Sequence, residues 1–295
     1  MKFMKKSMAF LLIAIMALGL AACGGDKDAK ETTKETKAET KAETTADTSA
    51  ETKAETKEEA NALDRDTIVI GVDDTFAPMG FRDENNELAG FDIELATAVA
   101  AEMGVKADFR TIDWSMKETE LNQGNIDVIW NGYTITDERK EKVAFTPAYL
   151  DNKQVVLVLA DSGIESLADL EGKVVAAQTD SSAIEAIDSK PEIKDSFADL
   201  VTFPTNEECV MDLEAGRSDA VVADSVLLDY VVSHKDDPGK YVILAEDFGT
   251  EEYGIGVRKD DTALLDAINK AIEELKADGT VAEISTKWFG SDIVK

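Results

Sequence analysis

Short apolar runs alternate with amphipathic stretches along residues 66–295. The runs at 68–72, 126–130 and 173–177 are rich in valine and isoleucine, which is typical of buried parallel strands. Between such runs, apolar residues recur at helical spacing. The first such stretch has five of them on one face, Ile93, Ala96, Val99, Ala100 and Met103. The pattern predicts strands and helices in alternation.

Residues suited to helix termini stand at the ends of the amphipathic stretches. Asp92 is expected to cap the first helix, and Ser115 and Thr205 are each expected to open a later helix through a capping box. A glycine, the residue most often found just past a helix C-terminus, follows each of the three stretches, at Gly104, Gly124 and Gly216.

The alternation of strand and helix runs twice, once before and once after Ala148. Each half is therefore expected to form an α/β lobe with a mostly parallel sheet flanked by helices. Ligands of such sheets bind beyond the carboxyl ends of the strands. Four polar segments stand at predicted strand ends, at 73–81, 131–139, 178–183 and 223–224. This arrangement predicts one site between two lobes.

Residues 1–22 have the pattern of an export signal. Three lysines precede an apolar stretch at 8–20 that is too short for an ordinary membrane span. The segment Leu-Ala-Ala-Cys at 20–23 resembles the lipobox of bacterial lipoproteins, in which the cysteine, here Cys23, is lipidated and becomes the mature N-terminus. An ordinary signal peptide that happens to contain a cysteine is the alternative. We expect an extracytoplasmic protein anchored to the bacterial cell membrane by lipid.

Residues 23–65 are expected to form a disordered tether. From Asp26 to about Ala62 the segment consists almost entirely of Lys, Glu, Thr, Ala, Asp and Ser, without a large apolar residue. Such a segment cannot bury enough surface to order itself. A flexible coil of ~36 residues has a root-mean-square span of roughly 35 Å. The tether would hold the following domain away from the membrane.

Charge and composition argue against several functions. The formal net charge is −30, nearly all of it after residue 65, which disfavours nucleic acid and anionic lipid as partners, although solubility alone is a sufficient role for this charge. Cys209 is the only cysteine besides Cys23, and His234, in a polar turn, is the only histidine. Cys209 has no second cysteine with which to form an internal disulfide or a cysteine-based metal site. With one histidine in a polar turn and one free cysteine, a Ser–His or Cys–His nucleophile is not expected. We predict no catalytic residue, metal or cofactor.

The segment Asn131–Lys140 (NGYTITDERK) follows a predicted strand and carries groups that bind anions. Gly132 permits close approach to the main chain, and Thr134 supplies a hydroxyl. Arg139 offers a fork of donors suited to a carboxylate. Taken alone, the segment is equally consistent with a helix capped by Thr136 that bears an exposed Arg–Glu pair.

Two other strand ends extend this chemistry. Ser181 and Ser182 begin another predicted helix and can hold an anion, and Asp224 can accept hydrogen bonds from an ammonium group. Together with Arg139, these residues predict a site for a carboxylate and an ammonium, the two groups of an α-amino acid.

Six segments of residues 66–295 carry a family resemblance. They are VDDTFAP at 72–78 with Phe81, GFDIELA at 90–96, the segment 131–140, FTPAY at 145–149, QTDSSA at 178–183 and KWFG at 287–290. Together they resemble the solute-binding proteins of polar amino acid ABC transporters, bacterial family 3. The resemblance covers essentially 66–295, and Thr-x-Thr-x-x-Arg at 134–139 is a specific part of it.

The resemblance implies a type II clamshell fold of two lobes. Lobe 1 would comprise 66–150 and 251–295, lobe 2 would comprise 151–250, and the chain would cross between them near 150–154 and 246–252. Arg139 would hold the ligand carboxylate, helped by the Thr134 main chain and Ser182. Asp224 would hold the ammonium, beside the Gly132 carbonyl and the Thr134 hydroxyl.

The same resemblance assigns the remaining ligand-binding positions. Phe76 and Trp114 match positions that sandwich the ligand side chain, although Trp114 as a core residue is the alternative, and Trp130 is assigned to the core. Asp73 would lie at the cleft edge. Gln178 and Ser181 belong to the binding segment of the second lobe.

Two departures from the family pattern bear on the ligand. Asp180 stands where glycine is common, so the local turn is expected to differ. Gly80 stands where some relatives carry glutamate, which weakens the case for a cationic ligand, whereas Asp73 and Asp74 keep it open. We expect a polar amino acid such as glutamine or cystine, with a cationic one as the second choice.

The predicted function is a monomeric substrate-binding protein of an ABC importer that delivers an amino acid to its permease, and not an enzyme. A cyclohexadienyl dehydratase-like enzyme is one alternative, because those enzymes resemble this family. A ligand-sensing module is another, although such modules are usually joined to a membrane helix and a signalling domain, which this sequence does not display.

Overall fold

A computed structural model describes residues 63–295, which lie within one compact unit, Lys57–Lys295. The predicted signal peptide, Cys23 and the tether up to residue 62 lie outside the described residues. The tether was expected to end at residue 65, but Leu63 is buried in the core with 5% exposure and Arg65 donates to Asp261. The packed part therefore includes Leu63. No helix in the described part is long and apolar enough to cross a membrane.

The described residues form thirteen strands, several of them only two residues long. In chain order they are β1 Thr67–Val72, β2 Thr75–Phe76, β3 Gly80–Arg82, β4 Leu88–Ala89, β5 Lys106–Thr111, β6 Val128–Ile129, β7 Ala144–Phe145, β8 Leu150–Leu159, β9 Val174–Gln178, β10 Asp199–Phe203, β11 Ala220–Asp224, β12 Tyr241–Tyr253 and β13 Gly256–Val257.

The described helices alternate with these strands. The α-helices are α1 Phe91–Glu102, α2 Lys117–Asn122, α3 Asp137–Lys142, α4 Ser182–Asp188, α5 Pro191–Lys194, α6 Asn206–Glu214, α7 Ser225–Ser233, α8 Thr262–Ala277 and α9 Thr280–Phe289. Short 3₁₀ turns lie at Trp114–Met116, Leu167–Leu170 and Pro238–Lys240.

Each lobe is built on a five-stranded mixed sheet. In the first, the order is β5-β1-β6-β13-β7, with β5, β1 and β6 parallel and β13 antiparallel to both of its neighbours. In the second, the order is β10-β9-β11-β8-β12, with β10, β9 and β11 parallel and β8 antiparallel to β11 and β12. The predicted α/β class with one sheet in each half is confirmed.

Strands β8 and β12 connect the two sheets. They pair antiparallel from Tyr241 with Leu159 to Tyr253 with Leu150, with irregularities between Ile243 and Gly249. After β12 the chain continues directly to β13, which belongs to the first sheet. The two segments expected to cross between the lobes lie in these strands.

Two of the predicted helix caps are wrong. Gly90, not Asp92, precedes α1; its φ of 136° suits glycine, and a side chain there would collide with the Met79 carbonyl. Asp113, not Ser115, opens the helical segment at 114–122, because its carboxylate accepts a hydrogen bond from the Ser115 N–H at 2.9 Å.

The cap predicted at Thr136 is confirmed, and Thr205 is confirmed as a cap but without the reciprocal side-chain bond of a capping box. The Thr205 hydroxyl accepts from the Glu208 N–H, and the Thr136 hydroxyl accepts from the Arg139 N–H, each at 3.2 Å. The Thr136 cap fixes the start of α3 and with it the position of Arg139.

Candidate ligand-binding site

Arg139 is buried between the two lobes. Its side chain is 3% exposed, whereas the next residue, Lys140, lies in solvent. Its Nη1 donates to the Thr134 carbonyl at 3.0 Å, and its Nη2 lies 3.5 Å from the Asp180 carbonyl of the second lobe. The guanidinium covers the Tyr133 ring at 4.8 Å. The alternative of an exposed Arg–Glu pair is wrong for Arg139.

Asp224 ends β11 and is also buried, with 4% exposure. It accepts hydrogen bonds from Asn152 Nδ2 at 2.7 Å, Gln154 Nε2 at 3.1 Å and the Tyr253 hydroxyl at 2.6 Å. Burial, together with the nearby Glu251 carboxylate, raises the pKa of Asp224 well above its usual value. A buried carboxylate of this kind is a natural partner for a cationic ligand group.

A chain of hydrogen bonds joins these two charges across the lobes. Arg139 bonds to the Thr134 carbonyl, and the Thr134 hydroxyl lies 3.0 Å from Ser182 Oγ. Gln154 Nε2 donates both to Ser182 Oγ at 3.1 Å and to Asp224 at 3.1 Å. Guanidinium and carboxylate therefore belong to one buried polar network rather than to separate surfaces.

A second bridge between the lobes joins Asp73 and Gln178. Gln178 Nε2 donates to Asp73 Oδ2 at 2.7 Å, and Thr75 donates to the other carboxylate oxygen. Burial raises the pKa of Asp73. The Ser181 hydroxyl donates to the Gln178 carbonyl at 2.8 Å, so it orders this segment. Asp73 and Gln178 thus meet across the two lobes, with Ser181 beside them.

The apolar side of the site is formed around Gly132. Its φ of 57° is in the left-handed region, and a Cβ would lie 2.8 Å from Phe76 Cε1 and 3.3 Å from Tyr253. Phe76 is 6% exposed and lies against this glycine. The Trp114 ring packs edge-on against the Tyr133 ring, with 5.8 Å between the ring centroids, in a cluster of buried apolar residues. This position agrees with the alternative assignment of Trp114 to the core. Trp130 is fully buried, as predicted.

Asp180 adopts a φ of 53°, the region for which glycine is best suited. The aspartate that stands where glycine was expected has therefore kept a glycine-like conformation, contrary to the expectation of a different turn. Its carbonyl accepts a hydrogen bond from Lys117 Nζ of the first lobe at 2.9 Å. Lys117 is 2% exposed, and burial, followed by repulsion from Arg139, lowers its pKa to about 8.

Two openings lie between the lobes next to this polar network. One, of about 640 Å³, lies between α2, α3 and α4 and is lined by Lys117, Arg139, Ser181 and others. The other, of about 350 Å³, is lined by Thr134, Gln154, Ser182, Glu251 and others. The first opening thus reaches Arg139, and the second reaches the polar groups that connect Arg139 to Asp224. Within the described residues, no cluster of His, Cys, Asp or Glu could hold a metal ion.

Asp92 lies beneath the loop that carries Gly132. Its fully buried carboxylate accepts from the Gly132 N–H at 2.8 Å and from the Tyr149 hydroxyl at 2.9 Å. Burial raises the pKa of Asp92 to about 7, although these hydrogen bonds oppose the shift. Asp92 therefore holds the loop that carries Gly132 in place.

The raised pKa of Asp92 gives a testable pH dependence of stability. The unfolded chain loses this proton near pH 4 and the folded chain near pH 7, so this carboxyl lowers the free energy of unfolding as pH rises through that interval. Asp92→Asn lacks this carboxyl. We therefore expect its free energy of unfolding, relative to that of the natural chain, to rise by on the order of 4 kcal/mol between pH 4 and pH 7.5. Urea unfolding measures it, with the exposed Asp108→Asn as control; a pH-independent difference would contradict this role.

Three polar residues of the site lie on the crossing strands and were not predicted. They are Asn152 and Gln154 on β8 and Glu251 on β12. Lys117 of α2 was also missed. The alternation of side chains along a strand could have indicated two of these residues. Positions 150, 152 and 154 are buried and positions 151 and 153 are exposed, so the amides of Asn152 and Gln154 lie on the same inward face.

Family comparison agrees with this architecture. The model of bacterial extracellular solute-binding proteins, family 3, matches residues 68–291. The chain belongs to this family. The resemblance stated from the sequence motifs is confirmed.

Two proteins that bind amino acids are similar to this chain, one in sequence and one in both sequence and structure. The L-cystine-binding protein TcyJ of Escherichia coli K12 is 32% identical over 234 residues, covering 79% of this chain and 86% of TcyJ. A histidine-bound substrate-binding protein of an ABC uptake transporter from Streptococcus pneumoniae is 41% identical, with a TM-score of 0.76, covering 78% and 95% of the two chains. The predicted type II clamshell is thereby confirmed.

A third similar protein bears on the enzyme alternative. The ancestral amino acid-binding protein AncCDT-1, described as a precursor of cyclohexadienyl dehydratase, is 34% identical with a TM-score of 0.69, covering 76% of this chain and 96% of that one. All three of these relatives are described as binding proteins.

Proposed function

We propose that this protein is the extracytoplasmic substrate-binding component of an ABC importer for a polar amino acid. The observation that carries the proposal is the pairing of two buried, opposite charges, Arg139 and Asp224, within one hydrogen-bonded network between the lobes. An α-amino acid has a carboxylate and an ammonium a few bonds apart and is complementary to both.

The binding roles follow from the chemistry of each group. Arg139 holds the ligand carboxylate, because its planar fork of donors matches two carboxylate oxygens. Ser182 adds a hydroxyl from the opposite lobe. Asp224 holds the ammonium, with the Gly132 carbonyl and the Thr134 hydroxyl as further acceptors. Phe76 and Asp73, together with Gln178, face the ligand side chain, and Trp114 supports the aromatic wall.

Binding is coupled to lobe closure through contacts with both lobes. A ligand that touches Arg139 in the first lobe and Asp224 in the second interacts with both only when the lobes are closed. It therefore shifts the population toward the closed form by its differential affinity. The permease then recognises the closed, loaded form. The Lys117–Asp180 and Asp73–Gln178 bridges add to the closed arrangement.

A neutral polar amino acid such as glutamine or cystine is the proposed ligand. The relatives named above bind cystine and histidine. Near the side-chain position, the Asp73 carboxylate is engaged by Thr75 and Gln178, and the carboxamide of Gln178 is also bound to Asn206. Asp73 is therefore committed to protein donors, which disfavours a cationic side chain relative to a polar neutral one.

The N-terminal sequence supports a membrane anchor. Its lipobox-like segment at 20–23 is the basis for proposing that Cys23 is lipidated and that residues 24–62 tether a monomeric binding domain at the outer face of the cell membrane. Incorporation of radiolabelled palmitate that disappears in Cys23→Ala, but not in Cys209→Ala, tests this anchor.

A thermal-shift screen of the twenty amino acids plus cystine tests the proposed function. Ligand that binds only the folded state raises its stability, by about 2.7 kcal/mol at a hundredfold excess over Kd. We expect a distinct rise for one or a few polar amino acids. A screen with no rise, combined with conversion of prephenate or arogenate to product, would favour the dehydratase alternative.

A further inference from the structure

The proposed ammonium end of the site contains two carboxylates rather than one. Asp224 on β11 and Glu251 on β12 accept hydrogen bonds from the same two amide nitrogens. Asn152 Nδ2 lies 2.7 Å from Asp224 Oδ1 and 2.7 Å from Glu251 Oε1. Gln154 Nε2 lies 3.1 and 2.9 Å from the same two oxygens. The carboxylates therefore share one donor set.

The other donors come from neighbouring elements. The Tyr253 hydroxyl donates to Asp224 at 2.6 Å, and the Thr134 hydroxyl lies 2.9 Å from Glu251 Oε1. Ser182 Oγ, in the second lobe, lies 3.4 Å from the same Glu251 oxygen. Glu251 thus touches groups from both lobes and from both crossing strands, which places it at the centre of the polar network.

No cation of residues 63–295 pairs with either carboxylate. The other titratable groups on this side of the site are Tyr253 and, beyond it, Tyr149, whose ring lies 6.3 Å from that of Tyr253. Asp92 lies beyond Tyr149 and accepts a hydrogen bond from its hydroxyl, so it does not contact the pair. Burial raises the pKa of both tyrosines, so they remain neutral. The charged groups nearest along the network, Arg139 and Glu185, are paired with each other at 3.5 Å.

Asp224 is buried and Glu251 is half-buried, and the two share donors without a cation. Desolvation of Asp224 and repulsion between the two carboxylates therefore favour retention of one proton. The pKa of Asp224 is raised in this sense, by burial first and by Glu251 second. Asp224 is thus the group of the pair that retains a proton when no ammonium is present.

We infer that Asp224 and Glu251 form a single ammonium receptor that holds one proton when empty and releases it to solvent when an amino acid binds. This inference rests on the proposed function. Before binding, the pair consists of one carboxylic acid, on Asp224, and one carboxylate. The ligand –NH₃⁺ then donates to both oxygens, the acidic O–H bond of Asp224 breaks, and its proton passes to water. The net charge of the site is −1 before and after.

Calorimetric titration in two buffers of different ionisation enthalpy, such as phosphate and Tris, counts the protons. L-glutamine, L-cystine and L-arginine are each titrated into the full chain at pH 6.5 and 7.5. We expect about one proton released per amino acid bound, and an affinity that strengthens up to about tenfold per pH unit over this interval.

Glu251→Gln tests the part played by the second carboxylate. The amide keeps an oxygen acceptor but removes the repulsion that helps to keep Asp224 protonated, so proton release is expected to fall clearly below that of the natural chain while the amino acid still binds, about tenfold more weakly. Glu252→Gln is the matched control, because this neighbour is exposed and paired with Lys295 rather than with the network. It should behave as the natural chain does.

The outcomes separate the two proposals. If none of the three amino acids binds, the proposed function fails and this inference falls with it. If an amino acid binds to the natural chain with an enthalpy that is the same in both buffers, the proton release is wrong and the proposed function stands. If the natural chain releases a proton and Glu251→Gln releases it equally, Glu251 is not part of the receptor.

Discussion

Arg139→Ala is expected to weaken amino acid binding by roughly thirty-fold to several thousand-fold. This range corresponds to about 2–5 kcal/mol, the usual loss when one partner of a desolvated, hydrogen-bonded charge pair is removed. Arg139 is 3% exposed and bonds to the Thr134 carbonyl, so its loss leaves the ligand carboxylate without its cation. Isothermal titration with the amino acid found in the screen measures the effect.

Two further variants separate the effect of the Arg139 guanidinium from that of positive charge alone. Lys140→Ala removes the adjacent cation, which lies in solvent and pairs with Asp137, and should leave affinity within about twofold. Arg139→Lys keeps the charge but loses the fork, so it should lie between the natural chain and Arg139→Ala. Undiminished affinity in Arg139→Ala, with the protein folded, would show that Arg139 does not bind the carboxylate.

Asp224→Asn is expected to weaken binding by about a hundredfold or more while stabilising the ligand-free protein. The amide retains an acceptor for Asn152, Gln154 and Tyr253 but no longer attracts an ammonium. Because burial raises the pKa of Asp224, the natural carboxyl opposes folding at neutral pH, and its replacement removes that cost. Affinity and stability should therefore change in opposite directions.

Calorimetry and urea unfolding on the same preparations measure both quantities. Asp108→Asn provides the control, since Asp108 is exposed on β5, away from the network. It should alter neither quantity appreciably. A variant at Asp224 that bound its amino acid normally would place the ammonium elsewhere in the cleft.

The elements that local sequence could specify were predicted well. The Thr136 cap and the spacing to Arg139 are contained in four consecutive residues, and the end of β11 at Asp224 follows an uninterrupted buried run. Because the carboxyl ends of parallel strands face the same edge of a sheet, the convergence of these segments could also be predicted.

Asp92 was misassigned because its partners are distant in sequence. A local pattern of aspartate before an apolar helical face favours a cap. The structure instead uses Gly90 as the cap, and Asp92 reaches Gly132 and Tyr149, which lie 40 and 57 residues further along the chain. Tertiary hydrogen bonds to a main-chain N–H leave no periodic signal in the sequence.

The crossing strands were the main omission. The sequence indicates residues near 150–154 and 246–252 only as crossings between the lobes, and no motif there marks their side chains as part of the site. Only the antiparallel pairing of Asn152 with Glu251 brings an amide and a carboxylate to Asp224. Register between two strands about a hundred residues apart cannot be read from either strand alone.

The central claim is that the two lobes hold the charged ends of one amino acid, with the guanidinium of Arg139 at its acid and the Asp224 carboxyl at its amine. The most direct test is calorimetric titration of the best-binding amino acid against its α-carboxamide and its Nα-acetyl derivative, which each lack one charge. We expect each derivative to bind at least about thirty-fold more weakly than the parent. Binding of both derivatives within about threefold of the parent would contradict the account.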